Sequence, residues 1–251
     1  MFILGLICAT DLTNQMTTTL TPTNYILIFT ALFLGACAIF APYIAEMLKR
    51  KAFAPKIKIL FELAPPFCHK TTWRSPPHSQ IRIEEPVYYF RFLVVNEGKS
   101  QARLCEVVLE NLWIYDSANK PQLFSNFSPL NMRWDVEPPT DFININPERR
   151  VFCNIGHISS AKYQEDIERK KCVDVPGYRG SDLRFKLDLL RTMYAQPNCF
   201  PPGRYSLEFG LYSENAGCQK AFFDISWSGI WQDSVSEMFR EIVIALTGSH
   251  I

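Results

Sequence analysis

Cysteine and histidine are the residue types in this chain with the clearest chemical potential, and two short motifs combine them. Cys153 precedes His157 by four positions, and Cys68 is followed directly by His69. Either motif offers ligands for a metal ion. A structural zinc site, however, takes two closely spaced ligand pairs, and the chain has no Cys-x-x-Cys pair. We therefore expect neither a metal nor another cofactor.

Catalysis by one of these thiols would require a base and a carboxylate that orients the base. The sequence identifies neither of them, and it contains no Gly-x-Ser-x-Gly, His-Glu-x-x-His, P-loop or dinucleotide-binding glycine motif. The prediction is a protein that is not an enzyme. An enzyme of unknown class is the remote alternative, and it would need a pocket that gathers Cys153, His157 and a buried carboxylate.

The cysteine pattern also bears on the compartment. The chain has eight scattered cysteines, namely Cys8, Cys37, Cys68, Cys105, Cys153, Cys172, Cys199 and Cys218. Free, partly buried thiols in a cytosolic domain are the favoured interpretation. A disulfide framework in an oxidising compartment is the alternative, and the orientation of the chain in a membrane decides between the two.

One uncharged stretch predicts a membrane anchor. Residues Tyr25 to Ala45 contain no charged side chain. As a helix they would measure ~31 Å, close to the ~30 Å hydrocarbon core of a bilayer. We therefore predict a transmembrane helix over residues 24–48, with Tyr25 and Tyr43 near the two membrane–water interfaces. Ala31 and Gly35 share one face of this helix, and such small residues allow two copies to approach and form a homodimer.

The two flanks of this helix differ in charge. Lys49, Arg50 and Lys51 follow the helix, in a predicted basic linker over residues 49–55, whereas Asp11 is the only charged residue before it. The positive-inside rule then places the N-terminus outside and the large C-terminal domain in the cytoplasm. The basic cluster would also contact anionic lipid headgroups.

Residues 1–23 are predicted to form an N-terminal tail. Its first residues are apolar but lack the basic region of a signal peptide, and they are too few to span a bilayer. One hypothesis is that translation begins at Met16.

From residue 56 to residue 231 the apolar pattern changes to the alternation that is typical of strands. The clearest examples are Val87–Val95, Ala102–Ile114, Tyr205–Leu211 and Lys220–Ser228. Strands that are joined by turns, without helices between most of them, favour an antiparallel sandwich. Two further strands are predicted at Ile57–Leu63 and Arg150–Ile158.

The last residues, 232–251, are predicted to form an amphipathic helix. Ser234 and Glu237 have the spacing of a capping box. An apolar stripe follows, made of Val235, Met238, Phe239, Ile242 and Leu246. We expect the stripe to pack on the sandwich; contact with a membrane or a partner is the alternative.

Two short segments resemble the immunoglobulin-like β-sandwich modules of bacterial and archaeal adhesion-type proteins. These are Phe92 to Leu109, with its Asn-x-Gly turn, and Pro202 to Leu207, with a Pro-Gly-x-Tyr opening. The resemblance implies a fold and carries no functional residues across. Because the domain exceeds the ~100 residues of such a module, we expect insertions. The predicted fold class is mainly β, with one N-terminal transmembrane helix, an immunoglobulin-like antiparallel sandwich with insertions and a C-terminal amphipathic helix.

The predicted function follows from the anchor and from the lack of catalytic motifs. We expect a single-pass membrane protein that acts as a protein-interaction or scaffolding module on the cytoplasmic side, with lipid and an unidentified protein as partners. An extracytoplasmic glycan- or protein-binding module is the alternative. A net charge of +1 gives no electrostatic footprint for nucleic acid. Most of the aromatic side chains are expected in the core, but Trp73, Trp113, Trp134, Trp227, Trp231, Tyr88 and Tyr89 are candidates for a binding face.

Overall fold

The computed structural model describes residues 22–74, 84–165, 172–176, 178, 180, 182–193 and 195–248, without the side chains of Asn24, Arg50 and Lys51. Almost all of the predicted tail, including Met16, lies outside the described residues. The chain divides into two compact units, Met1–Ala52 and Phe53–Ile251.

The first unit contains all but the last residue of helix α1, which runs over Pro22–Phe53. Its segment Tyr25–Lys49 has a mean hydropathy of 2.2 and is long and apolar enough to cross a membrane. The predicted apolar helix is confirmed, but it continues through most of the predicted linker. Lys, Arg and Ala favour helices, and α1 ends only near Pro55, which disfavours a helical conformation in the residue before it.

The second unit is mainly β, as predicted, and its strands form two antiparallel sheets. The six-stranded sheet contains β1 (Ile57–Leu60), β2 (Cys68–Arg74), β3 (Glu84–Asn96), β8 (Arg150–Ser159), β9 (Phe185–Leu187) and β10 (Cys199–Phe200). The seven-stranded sheet contains β4 (Ala102–Tyr115), β5 (Pro121–Leu123), β6 (Leu130–Asn131), β7 (Ile143–Ile145), β11 (Gly203–Tyr212), β12 (Gln219–Trp227) and β13 (Ile242–Thr247). Two short helices, α2 (Ala161–Tyr163) and α3 (Val235–Glu241), complete the described elements.

Strand β3 organises the six-stranded sheet. It pairs with β8 along one side. Along its other side, its first half pairs with β2 and its last residues pair with β1, so β1 and β2 lie end to end on one edge. In the seven-stranded sheet the order is β13-β12-β11-β4, and β5, β6 and β7 pair with β4 one after another.

The core lies between the two sheets. Phe92 of β3 is in ring contact with Phe209 of β11 and Phe223 of β12, at centroid distances of 5.7 and 5.4 Å. All three side chains are fully buried, as is Trp134. Such aromatic pairs add to the apolar area removed from water and fix how the two sheets face each other.

Asn96 fastens the point at which the chain enters the domain. Its fully buried amide donates to the carbonyl oxygens of Ser100 (2.7 Å) and Ile145 (2.9 Å). Its Oδ1 accepts from the backbone N–H groups of Lys56 (3.1 Å) and Gly98 (2.9 Å). Asn96 therefore joins β1, the turn after β3 and β7 through one side chain.

The predicted C-terminal helix is wrong for its second half. Helix α3 ends at Glu241, and the chain continues as strand β13 on the edge of the seven-stranded sheet. The run Ile242-Val243-Ile244 is β-branched, which favours a strand. Ser234 occupies the N-cap position of α3, but its side chain makes no capping hydrogen bond.

The expectation of free thiols throughout is also wrong, because Cys172 and Cys199 form a disulfide. The segment that carries Cys172 lies beside β10, where Val173 O accepts from the N–H groups of Asn198 (2.9 Å) and Cys199 (3.2 Å). The two cysteines are 27 positions apart, so their spacing in the sequence gives no sign of this contact. Cys37, Cys68, Cys105, Cys153 and Cys218 are free.

Candidate functional site

The outer face of the six-stranded sheet, opposite the core, contains a groove. Two cavities of about 290 and 310 Å³ adjoin each other there, and both are lined by Trp73, Tyr89, Arg133 and Asp188. We call this continuous depression the outer-face groove. Its floor comes from β2, β3, β8 and β9, and one wall comes from the segment that follows β6.

One row of side chains crosses the floor of the groove. His69 of β2 lies opposite Tyr89 of β3, Tyr89 lies opposite His157 of β8, and His157 lies opposite Lys186 of β9. The ring centroids of His69 and Tyr89 are 6.2 Å apart, and those of Tyr89 and His157 are 5.5 Å apart. Residues directly opposite each other share a face of a sheet, so four strands contribute to this row.

His157 is held by a carboxylate. Its Nδ1 lies 2.6 Å from Oδ1 of Asp188, and both side chains are 12% exposed. The second carboxylate oxygen of Asp188 is buried and has no hydrogen-bond partner among the described residues. The pair therefore orients the imidazole in the groove with little access to water.

Aromatic side chains border one end of the groove. The rings of Trp73 and Tyr163 have centroids 5.0 Å apart. Ser160 positions Tyr163 at the start of α2, because its Oγ accepts from the Tyr163 N–H (3.4 Å) and donates to Glu85 Oε2 (2.8 Å). Tyr163 is almost fully buried and Trp73 is partly exposed, so Trp73 is the ring available to a ligand.

The other end of the groove is polar. Arg91 forms a close ion pair with Asp135, donates from Nε to Pro66 O (3.1 Å) and stacks on the Phe152 ring at 4.0 Å. Arg133 donates to Glu137 Oε1 at 2.8 Å. The charged residues that line the two cavities balance, with Arg91, Arg133 and Lys186 against Glu85, Asp135 and Asp188.

The two Cys–His motifs are divided between the two faces of the sheet. Cys68 and Cys153 are fully buried in the core, whereas His69 and His157 face the groove. Burial raises the pKa of the Cys68 thiol to about 12 and raises that of Cys153 well above its usual value. Because neither motif brings its cysteine to its histidine, the thiols are core residues here. Among the described residues, no group of three His, Cys, Asp or Glu side chains is placed to hold a metal ion.

The pKa of His69 is shifted in the opposite direction. Burial lowers it, and the guanidinium of Arg91 lowers it further, against a smaller opposing effect of Asp135. The Nδ1 of His69 is buried without a hydrogen-bond partner in the described part of the chain. The neutral imidazole is therefore the favoured form in the groove.

A glycine allows the close contact between β8 and β9 beneath the groove. A Cβ atom on Gly156 would lie 2.3 Å from Lys186 O and 2.8 Å from Cζ of Phe185. Phe185 is itself fully buried. Any side chain at this position would push β9, which carries Lys186 and leads to Asp188, away from β8.

The residues predicted for the membrane anchor all lie in α1. Tyr25 and Tyr43 are 52% and 65% exposed, and Ala31, Gly35 and Lys49 are exposed as well. A Cβ on Gly35 would meet nothing within 4 Å, so this face is open. The side chains of Arg50 and Lys51 lie outside the description.

The aromatic residues proposed for a binding face divide into two groups. Trp134, Trp227 and Tyr88 are buried in the core. The ring of Trp231 packs on that of Tyr88, with centroids 5.1 Å apart. Trp113 and Phe222 both belong to the seven-stranded sheet, and their ring centroids are 6.2 Å apart. Only Trp73 and Tyr89 from this set line the groove. The sequence did not predict that histidines, arginines and acids would join them in one groove, because these residues come from separate strands and from the segments between strands.

Comparison with protein families, with curated proteins and with solved structures found no match to this chain.

Proposed function

We propose that this protein is a single-pass membrane protein whose immunoglobulin-like sandwich acts as a protein-interaction or scaffolding module on the cytoplasmic side. The outer-face groove is the proposed binding surface, and it is the observation on which this proposal rests. Helix α1 is the anchor, with Tyr25 and Tyr43 at the interfaces and the basic residues 49–51 at the lipid headgroups. The small residues Ala31 and Gly35 allow two anchors to pair.

The shape and chemistry of the groove suit an extended polypeptide segment. Along β3 it reaches from Glu85 to Arg91, which is ~20 Å at ~3.3 Å per residue, enough for about six residues of an extended chain. Balanced charges favour a ligand that carries both signs, because each ligand charge then meets an opposite charge and none is left desolvated alone. The partly exposed Trp73 provides an apolar anchor.

Site-specific cross-linking in the full-length protein tests the groove. A photoreactive amino acid at Thr71, which is exposed and lines the groove, should capture a distinct partner in native membranes. The same amino acid at Gln122, exposed on β5 of the other sheet, is the matched control. Adding Trp73→Ala and Arg133→Ala should abolish capture from Thr71. Identical products from both positions would contradict the proposal.

A second candidate is an extracytoplasmic glycan- or protein-binding module, and the disulfide favours it. Disulfides such as Cys172–Cys199 persist mainly in oxidising compartments. The chain also has a glycosylation-type triplet, Asn126-Phe127-Ser128, and Asn126 is exposed, as a glycosylation acceptor would be. The charge flanks of α1 favour the cytoplasm, so the two observations point in opposite directions.

The exposed free thiol of Cys218 separates the two orientations. A membrane-impermeant maleimide applied to intact cells should label the full-length protein on Cys218 only if the domain is outside. On the first proposal, labelling of Cys218 requires permeabilised cells. Cys218→Ser is the control that assigns the label, and Cys37→Ser removes the other thiol that is exposed among the described residues.

A further inference from the structure

Most strands at the edges of the two sheets carry features that discourage pairing with another chain. Strand β1 carries Lys58, and β2 carries Lys70 and Arg74. Strand β5 has three residues and begins with Pro121, and β10 has two residues and is followed by Pro201. Strands β6 and β7 have only two and three residues. Short length, lysine and proline are the usual ways in which proteins protect a sheet edge.

Strand β13 has none of these features. It has six residues, Ile242 to Thr247, without a charge or a proline. It pairs with β12 on one side, and no described strand pairs with its other side. Val243 is 47% exposed, and Ala245 beside it is exposed as well. Such an open, uncharged edge is a template for strand addition.

The backbone groups on this free edge follow from the register. Ser228 N–H donates to Glu241 O at 2.9 Å, and the register of β12 with β13 places these two residues opposite each other. They are therefore a hydrogen-bonded pair. Because hydrogen-bonded and non-hydrogen-bonded pairs alternate in an antiparallel ladder, Ile244 and Leu246 direct their N–H and C=O groups to the free edge. The C=O of Ile242 joins them, whereas the Ile242 N–H donates to Met238 O at the end of α3.

We propose that β13 pairs antiparallel with β13 of a second copy of this chain, about a two-fold axis through Ile244. In this register Ile242 lies opposite Leu246 of the second copy, and Ile244 lies opposite its own equivalent. The N–H groups of Ile244 and Leu246 and the C=O groups of Ile242 and Ile244 then find partners across the axis. A two-fold axis through Ala245 would instead set Ile242 against a residue beyond the end of the strand.

The chemistry of β13 suits a second copy as its occupant. A two-fold axis brings identical residues together, and a charged strand would repel its own copy, whereas β13 has no charge. The seven-stranded sheet would continue across the axis as one sheet. Strand pairing alone buries little area, but anchoring in one bilayer would raise the effective concentration of the two edges. This inference is independent of what the groove binds.

Cysteine pairs test the register in membranes that contain the full chain. In the proposed dimer Val243 lies opposite Ala245 of the second copy in a non-hydrogen-bonded pair, where side chains are closest. Chains with Val243→Cys and chains with Ala245→Cys are given different tags and co-expressed in a Cys8→Ser, Cys37→Ser, Cys218→Ser background. Mild oxidation should link the two tags to each other in several-fold excess over links between identical chains.

Charge substitutions at the same exposed positions provide a second readout. Val243→Lys with Ala245→Lys should dissociate the dimer in nanodiscs, whereas Val243→Lys with Ala245→Glu should restore it by pairing opposite charges. Leu123→Lys, on the other edge of the same sheet and 53% exposed, is the control and should change nothing. Absence of the mixed cross-link, equal linking of identical chains, or monomers in the unmodified protein would each overturn the proposal.

Discussion

The Nδ1 of His157 lies 2.6 Å from Oδ1 of Asp188, and this contact joins β8 to the residue that follows β9. An ionised carboxylate only accepts hydrogen bonds, so Nδ1 carries the proton. This pairing orients the histidine in the row that crosses the groove.

Removal of the Asp188 carboxylate, which accepts the hydrogen bond from His157, should destabilise the domain. Asp188→Ala leaves the buried Nδ1–H of His157 without its partner, and we expect a loss of about 1–3 kcal/mol in the free energy of unfolding. Asp188→Asn retains an acceptor oxygen of the same shape and should cost clearly less. Denaturant unfolding of the full chain in detergent, followed by tryptophan fluorescence, measures both. Equal losses would show that the hydrogen bond to His157 is not what matters.

The lowered pKa of His69 predicts acid sensitivity. Its value lies below 6.5 in the folded domain and near 6.5 in the unfolded chain, so the unfolded chain takes up the proton first as the pH falls. Stability from the neutral imidazole is present above pH 6.5 and is lost as the pH falls from there through the folded pKa. The His69→Gln variant lacks this imidazole, so its free energy of unfolding should depend less on pH below 6.5. Arg91, Asp135 and Tyr89 face His69 and are unchanged in this comparison.

Gly156 should not tolerate a methyl group. The Cβ of Gly156→Ala would lie 2.3 Å from the backbone oxygen of Lys186, which belongs to a paired strand and moves only with it. We expect a loss of about 1–3 kcal/mol in the free energy of unfolding. Gly217→Ala is the matched control, because a Cβ there meets nothing within 4 Å. A neutral Gly156→Ala would mean that β8 and β9 are not in close contact.

The disulfide should contribute measurably to stability. Cys172 and Cys199 are 27 positions apart, and closing a loop of this length stabilises the folded state by ~3–4 kcal/mol in the chain-entropy account. Cys172→Ser with Cys199→Ser should lower the free energy of unfolding by up to this amount, whereas Cys218→Ser should not. Peptide mapping under non-reducing conditions should recover the linked pair. Alkylation of Cys172 and Cys199 in unreduced protein would contradict the link.

Strands whose apolar residues alternate in sequence were predictable. Strand β12 was predicted at Lys220–Ser228 and runs over Gln219–Trp227, and β8 was predicted to within one residue. These strands are buried on one face by the core, so the hydrophobic pattern reports their period directly. The mainly β class and the apolar helix follow from the same local information.

Strands that line the groove or lie at a sheet edge were not predictable. Strand β2 reads Cys-His-Lys-Thr-Thr-Trp-Arg and shows no apolar alternation. One of its faces carries His69, Thr71 and Trp73, which line the groove. Strand β13 shares its apolar spacing with a helix, and only its edge position in the sheet decides between the two. The groove itself depends on registers between distant segments, such as His69 opposite Tyr89, which no local pattern contains.

The fourfold hydrogen bonding of Asn96 has a mechanical consequence. Any pull on the domain from the N-terminal side reaches it through Lys56, whose N–H is held by Asn96 and whose carbonyl accepts from Glu97 N at 2.8 Å. A force applied between a tethered N-terminus and a bound partner would therefore act on these hydrogen bonds before it could separate the four-residue strand β1 from β3. A single buried amide thus protects the first strand of the sandwich from being separated from the sheet by force.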